Sequence, residues 1–203
     1  LRRERPLVLV QSEPYVWYNK GGLLMYTLAD YMGEDKVNAA LRDLLLRRRY
    51  ANADPADGRD GSYPDTREFV AALRAQAPAD LQSFIKDSFE RIVLYDNRAR
   101  SATARKLADG RYQVTLQVQA GKAQADGDGN ETPAPMDDLV EVGVFEGAAG
   151  KEKPLAVQRV RLGAGQRDFT FTVDRLPTRA GIDPYNKLVD RIAEDNLVDV
   201  ALQ

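Results

Sequence analysis

The sequence predicts an α+β protein of two domains, helical over residues 1–97 and a β-sandwich over residues 98–203. Three observations carry this. Apolar residues recur at spacings of three and four up to Ile92, the period changes to two after Tyr95-Asp96-Asn97, and turn residues rather than helices separate the later segments. A chain of 203 residues is long enough to bury a real core.

The first helix is expected from about Tyr15 to Met32, with Leu24, Leu28 and Tyr31 inward and Gly33 at the C′ position that ends it. A second follows at once. Glu34 and Asp35 place negative charge on its first turn, and Val37, Leu41, Leu44 and Leu45 form its apolar stripe up to Tyr50. The stretch from Ala51 to Pro64, rich in Asp, Gly and Pro, reads as a surface loop. Asp65 and Glu68 stand three apart as a capping box opening a third helix, which carries Phe69, Ala72 and Leu73 and stops at Pro78. The fourth carries Leu81, Phe84, Ile85, Ser88, Phe89 and Ile92 on one face.

Beyond residue 98 the strands are half-buried. Tyr112, Val114, Leu116 and Val118 alternate with polar residues, as do Val140, Val142 and Val144, then Leu155 and Val157 with the Val160/Leu162 pair, then Phe169, Phe171 and Val173. Short strands joined by turns predict antiparallel pairing.

Composition excludes several chemistries. The chain has no histidine and no cysteine, which rules out Ser-His-Asp and Cys-His catalysis, disulfides and any His- or thiolate-ligated zinc built from this chain alone. Basic and acidic residues number 29 and 31, a balance that gives no footprint for nucleic acid. The Arg47-Arg48-Arg49 tract falls at a helix C-terminus, where cations offset the macrodipole. A start at Leu1, with no signal-peptide h-region and no long apolar run, reads as a soluble segment cut from something longer.

Two acidic groups invite a metal reading. Asp126, Asp128 and Asn130 alternate like the start of a calcium loop, with Asp137 at the twelfth position, yet Glu131 stands where the loop needs glycine. A solvated hairpin turn uses the same residues and is the expectation. Asn130-Glu131-Thr132 also forms a glycosylation sequon. Asp183, Asp190, Glu194 and Asp195 lie among Lys187 and Arg191 at helical distance, and read as caps, turns and surface pairs.

One stretch needs a different account. "PYVWYNKGGLLMY" places Tyr15, Tyr18 and the only tryptophan, Trp17, before a Gly-Gly pair. The run "YNKGGLLMYTLADYMGEDKVNAALRDLL" resembles the segment that follows the zinc site in aminopeptidase N-type gluzincin metallopeptidases, peptidase family M one. Their Tyr-Glu-Lys-Gly, apolar helix, Gly-Glu and second helix are matched by Tyr18-Asn19-Lys20-Gly21, the first helix, Gly33-Glu34 and the second helix. Asn19 stands where the family commonly has glutamate. A helix ending in "FERIVLYDN" and a β domain ending in "GIDPYNKLVDRIAEDN" resemble bacterial homologues in which the peptidase is joined to an ABC-type permease.

The resemblance implies a thermolysin-like helical half followed by an immunoglobulin-like sandwich. It implies that Tyr18 donates a hydrogen bond to the oxyanion of a scissile peptide. The family's His-Glu-x-x-His helix, later glutamate and Gly-x-Met-x-Asn stretch would lie upstream of Leu1, so zinc belongs to the parent protein and this chain alone is expected to be inactive. The implied partners are that upstream segment, a peptide substrate and a membrane permease region, with an exported location. Leu23, Leu24 and Tyr26 are expected to form an apolar face that supports a homodimer when uncovered. A non-catalytic interaction module and calcium-dependent adhesion through Asp126 and Asp128 are the alternatives.

Overall fold

A computed structural model describes residues 4–48 and 64–203. Arg49, Tyr50 and the expected loop up to residue 63 lie outside the described residues. The chain is an α+β protein of two compact units, Leu1–Ile92 with Ala125–Asn130, and Val93–Gln124 with Glu131–Gln203.

Among the described residues the first unit holds four α-helices. A π-helical turn, Tyr15–Lys20, runs straight into α1, Gly21–Met32, which ends where Gly33 takes φ 94° and donates its N–H to Ala29 O at 3.0 Å. Helix α2, Glu34–Arg48, carries acids on its first turn and Arg47 and Arg48 on its last, as the macrodipole favours. Helix α3, Thr66–Gln76, opens on the capping box: Asp65 Oδ1 accepts from Glu68 N at 2.8 Å, and Glu68 Oε2 accepts from Asp65 N at 3.1 Å. Helix α4, Gln82–Glu90, is tied to α3 by Arg74, which reaches Gln82 Oε1 at 3.1 Å and Glu90 Oε1 at 2.6 Å.

The core of this unit gathers Leu28, Leu73, Ile85 and Phe89. Edge-on Phe69 and Phe89 lie 6.0 Å apart, and Tyr31 packs 5.5 Å from Phe84. Three expectations fail here. The uncovered face of Leu23, Leu24 and Tyr26 does not form as one, because Leu24 is buried as the helical spacing expects while Tyr26 is exposed and Leu23 half-buried. Leu45 lies outside, because a step of one residue turns it about 100° away from buried Leu44. The fourth helix stops at Glu90, and Ile92 opens a strand instead of closing the helical face. Ile92-Val93-Leu94 favours extended backbone, and Tyr95 hydrogen-bonds far along the chain, donating its N–H to Val189 O at 2.9 Å.

Ten strands follow: β1 Ile92–Tyr95, β2 Arg98–Lys106, β3 Tyr112–Ala120, β4 Lys122–Ala125, β5 Glu131–Pro133, β6 Asp137–Glu146, β7 Lys153–Gly163, β8 Gly165–Val173, β9 Arg179–Ile182 and β10 Leu197–Leu202. A small sheet has the order β1-β4-β5, and a seven-stranded sheet the order β7-β6-β9-β10-β2-β3-β8. The large sheet departs from the antiparallel expectation at one place, where β10 runs parallel to β2.

Alternation fixes the register. Val114, Leu116 and Val118 of β3 are fully buried, with Val114 opposite Phe171 and Leu116 opposite Phe169 on β8. Val140, Val142 and Val144 of β6 are equally buried, as are Ala180 and Ile182 of β9. Strand β7 is one continuous edge strand, so Leu155 is half-buried and Val157 exposed while Leu162 alone is fully covered. Gly181 is demanded by the β9–β10 approach: a Cβ there would meet Asn196 O at 1.9 Å.

Candidate functional site

The aromatic stretch is built on a widened helical turn. Glu13 O accepts from Val16 N at 2.9 Å, and Val16, 2 % exposed, anchors the turn in the core. Tyr15, Trp17, Tyr18 and Tyr26 stay exposed, and Tyr18 reaches 74 %. Trp17 stands edge-on to Tyr18, centroids 6.1 Å apart. Lys20 is nearly covered, and its Nζ donates to Glu4 Oε1 at 2.9 Å. A Cβ at Gly21 would touch Leu7 at ordinary van der Waals distance, and one at Gly22 would meet nothing. Packing within this unit therefore does not demand either glycine. Among regular structures, single π-helical turns are the kind that gathers at functional sites.

A phenolic O–H can donate a hydrogen bond to a developing negative charge. Zinc does not fit the residues present. The sequence offers no histidine or cysteine, and among the described residues no three Asp or Glu side chains gather to hold a metal.

The Asp126 loop is a hairpin turn between β4 and β5. Asp126 Oδ1 accepts from Asp128 N and Asn130 N at 2.9 Å each, and Oδ2 accepts from Asn130 Nδ2 at 2.8 Å. Those bonds, the Asn130 side chain foremost, hold the Asp126 carboxyl below its ordinary pKa. The carboxylate is engaged by its own turn.

The C-terminal acids are not on a helix; only Ala193–Asn196 forms a 3-10 turn. Asp183, expected as a surface turn starter, starts its turn at φ 42° but is 1 % exposed. Its N–H donates to Glu141 O at 2.7 Å, and its carboxylate accepts from Lys187 N at 2.9 Å and Leu188 N at 3.0 Å. Lys187 Nζ pairs with Glu141 Oε2 at 2.7 Å, both side chains under a tenth exposed, and Arg159 Nη2 reaches Glu141 Oε1 at 2.9 Å. Tyr185 stands edge-on to Phe145 with Lys187 Nζ 5.2 Å from its ring centroid. Burial pushes the Asp183 carboxyl up to about 7, against the pull of its two backbone donors.

Asp190 is a second partly covered acid, raised by burial, that accepts from Asn97 N at 2.9 Å and Ile192 N at 3.0 Å. Near it, Tyr95, Asp96, Lys122, Glu131 and Arg191 line a cleft of about 410 Å³. The inner wall includes Lys122, whose Nζ pairs with buried Asp138 Oδ2 at 2.7 Å.

Sequence reasoning missed Glu141 and the Lys122–Asp138 pair, and read Lys187 as a surface partner where it is buried against Glu141. The signal for Glu141 is its place inside the apolar run from Leu139 to Phe145, which marks β6 as covered on both faces, where a carboxylate needs a cation. Among the described residues no helix is long and apolar enough to cross a membrane. No protein-family model matches the sequence, and no curated protein matches it.

Proposed function

We propose that this chain is the distal part of an aminopeptidase N-type zinc metallopeptidase, in which Tyr18 is the oxyanion-stabilising donor. The observation that carries the reading is Tyr18 itself, 74 % exposed on a π-helical turn that its own unit has no packing reason to present bare. Buried Val16 anchors the same turn in the core and Trp17 stands edge-on to the Tyr18 ring, so the phenol projects from an anchored turn. A phenolic O–H aimed at a developing oxyanion supplies about 2.7–4 kcal/mol of transition-state stabilisation. Gly22, open on its outer side, suits close approach by a further helix. Zinc ligands have to come from the upstream segment of the parent, and no step through the metal is assigned to residues of this chain.

The β unit fits the same reading. Strands β2-β3-β8 and β7-β6-β9-β10 correspond in order to strands A-B-E and C′-C-F-G of an immunoglobulin-like sandwich, with β10 beside β2 joining the two sheets. The helical unit is read as the distal half of a thermolysin-like domain, and the parent as an exported, membrane-associated protein joined to a permease.

The test is zinc content and aminopeptidase turnover of the parent with and without Tyr18→Phe. About 10²–10³-fold slower turnover at unchanged zinc is expected. Undiminished turnover refutes the assignment of Tyr18. A parent that binds no zinc and cleaves nothing supports the second reading, an interaction module, which the long, largely exposed edge strand β7 favours.

A further inference from the structure

Lys20 is the last residue of the π-helical turn that carries Tyr18, and its side chain is only 11 % exposed. An ammonium so nearly covered needs an acceptor of opposite charge. Among the described residues Glu4 supplies it, Oε1 accepting from Lys20 Nζ at 2.9 Å. The segment that holds Glu4 meets the turn again three residues on, where both Leu7 methyls lie 3.8 Å from the place a Cβ would take on Gly21. Glu4 is itself fixed from another side. Its N–H donates to Gly127 O at 3.2 Å, and Gly127 comes so close that an added Cβ would stand 3.1 Å from Glu4 O. Gly127 sits in the tip of the β4–β5 hairpin, Ala125–Asn130, which is part of the first unit. That tip keeps its shape through Asp126, whose carboxylate accepts from Asp128 N, Asn130 N and Asn130 Nδ2.

We propose that Glu4 is a positioning residue for Tyr18, set in place by the hairpin tip. Asp126 shapes the tip, Gly127 fixes the Glu4 backbone, and the Glu4 carboxylate ties down Lys20, two residues from the phenol. The brace has a physical reason to exist. Helix ends fray, their first N–H groups lack intrahelical acceptors, and this end is also a widened turn preceded by Pro14, which has no N–H to add. A tether at Lys20 and packing at Gly21 oppose the fraying that would swing the Tyr18 ring. The functional meaning rests on the reading of Tyr18 as the oxyanion donor, since such a donor acts only within about 2.7–3.1 Å of the oxygen it serves. Glu4 touches no reacting atom and acts through the turn alone.

Hydrogen exchange at the Val16 and Trp17 amides, which donate to Glu13 O at 2.9 and 3.4 Å, reads the turn directly, and the fluorescence anisotropy of Trp17, the only tryptophan, reads it a second way. Glu4→Ala is expected to speed exchange at both amides about 10-fold and to lower the anisotropy, with the Ile85 amide of α4 unchanged. Glu4→Gln, which keeps an acceptor, should fall between. The brace is overturned if the turn amides do not respond, or if Ile85 accelerates equally. Should Glu4→Ala fail to fold, Gly127→Val decides by the same two readouts, local loosening supporting the brace and an unchanged turn refuting it. In the parent, Glu4→Ala should lower kcat about 10-fold at unchanged KM and zinc content, and no further once Tyr18→Phe is present. An equal loss in both backgrounds overturns the positioning role. If Tyr18→Phe leaves turnover untouched while Glu4→Ala still loosens the turn, the oxyanion assignment fails and the brace stands.

Discussion

Replacing Lys187 by methionine should be among the most damaging single changes to the β unit. The substitution keeps the length of the side chain and removes the ammonium, leaving Glu141 on β6 with its side chain 8 % exposed. Breaking a buried pair by deleting one partner costs about 3–5 kcal/mol, since the remaining charge stays desolvated. Arg159, at 29 % side-chain exposure, still reaches Glu141 Oε1 and offsets part of this, which places the expected loss near 3 kcal/mol. Substituting Glu141→Met in the same chain removes the stranded charge, and Arg159 can turn its head to water. The double variant should therefore recover much of the loss. Denaturant unfolding of the wild type, both single variants and the double variant closes a double-mutant cycle. A Lys187→Met variant within about 0.5 kcal/mol of wild type, the range of ordinary surface changes, would refute the reasoning.

Further outcomes are expected elsewhere. Asp65→Ala removes the N-cap acceptor of α3 and should cost about 1 kcal/mol in denaturant unfolding, whereas Asp65→Ser should restore most of it. Gly181→Ala forces a Cβ to within 1.9 Å of the Asn196 carbonyl oxygen and should destabilise by about 3 kcal/mol or more, read by the same assay. Sedimentation should show self-association through the exposed Trp17, Tyr18 and Tyr26 face, and Tyr26→Lys should reduce it; a strict monomer at high concentration speaks against that face.

The helical unit was legible wherever a boundary is written in local chemistry. Gly33 at positive φ and the Asp65/Glu68 box mark their ends without help from distant residues. The end of α4 carries no such mark. Ile92 continues the spacing of Ile85, Ser88 and Phe89, and what takes it out of the helix is the pairing of β1 with β4, which comes later in the chain. The same limit explains β9 and β10, too short to show a period alone. Around Asp183 the difficulty is different. Asp-Pro announces a turn correctly, but whether a turn faces water or a sheet depends on what lies beneath it, here Glu141, forty-two residues earlier in the chain. Tyr18 was singled out by a motif, and its exposure is a property no local pattern supplies.

Strand β10 has β9 on one side and β2 on the other, joining three strands that precede it in the sheet order to three that follow. Its register sets Val200 beside Ala102, so the closing contact spans nearly the full length of the β unit. During synthesis the strands before it can form hairpins such as β2–β3 and β6–β7, but each set keeps a bare edge until β10 emerges. Loop closure over such a separation carries a large entropic cost before any contact repays it, so the β unit should fold slowly and late. In that interval the half-made sheets expose the edges through which chains pair with one another, and the yield of native protein is decided by how soon β10 arrives.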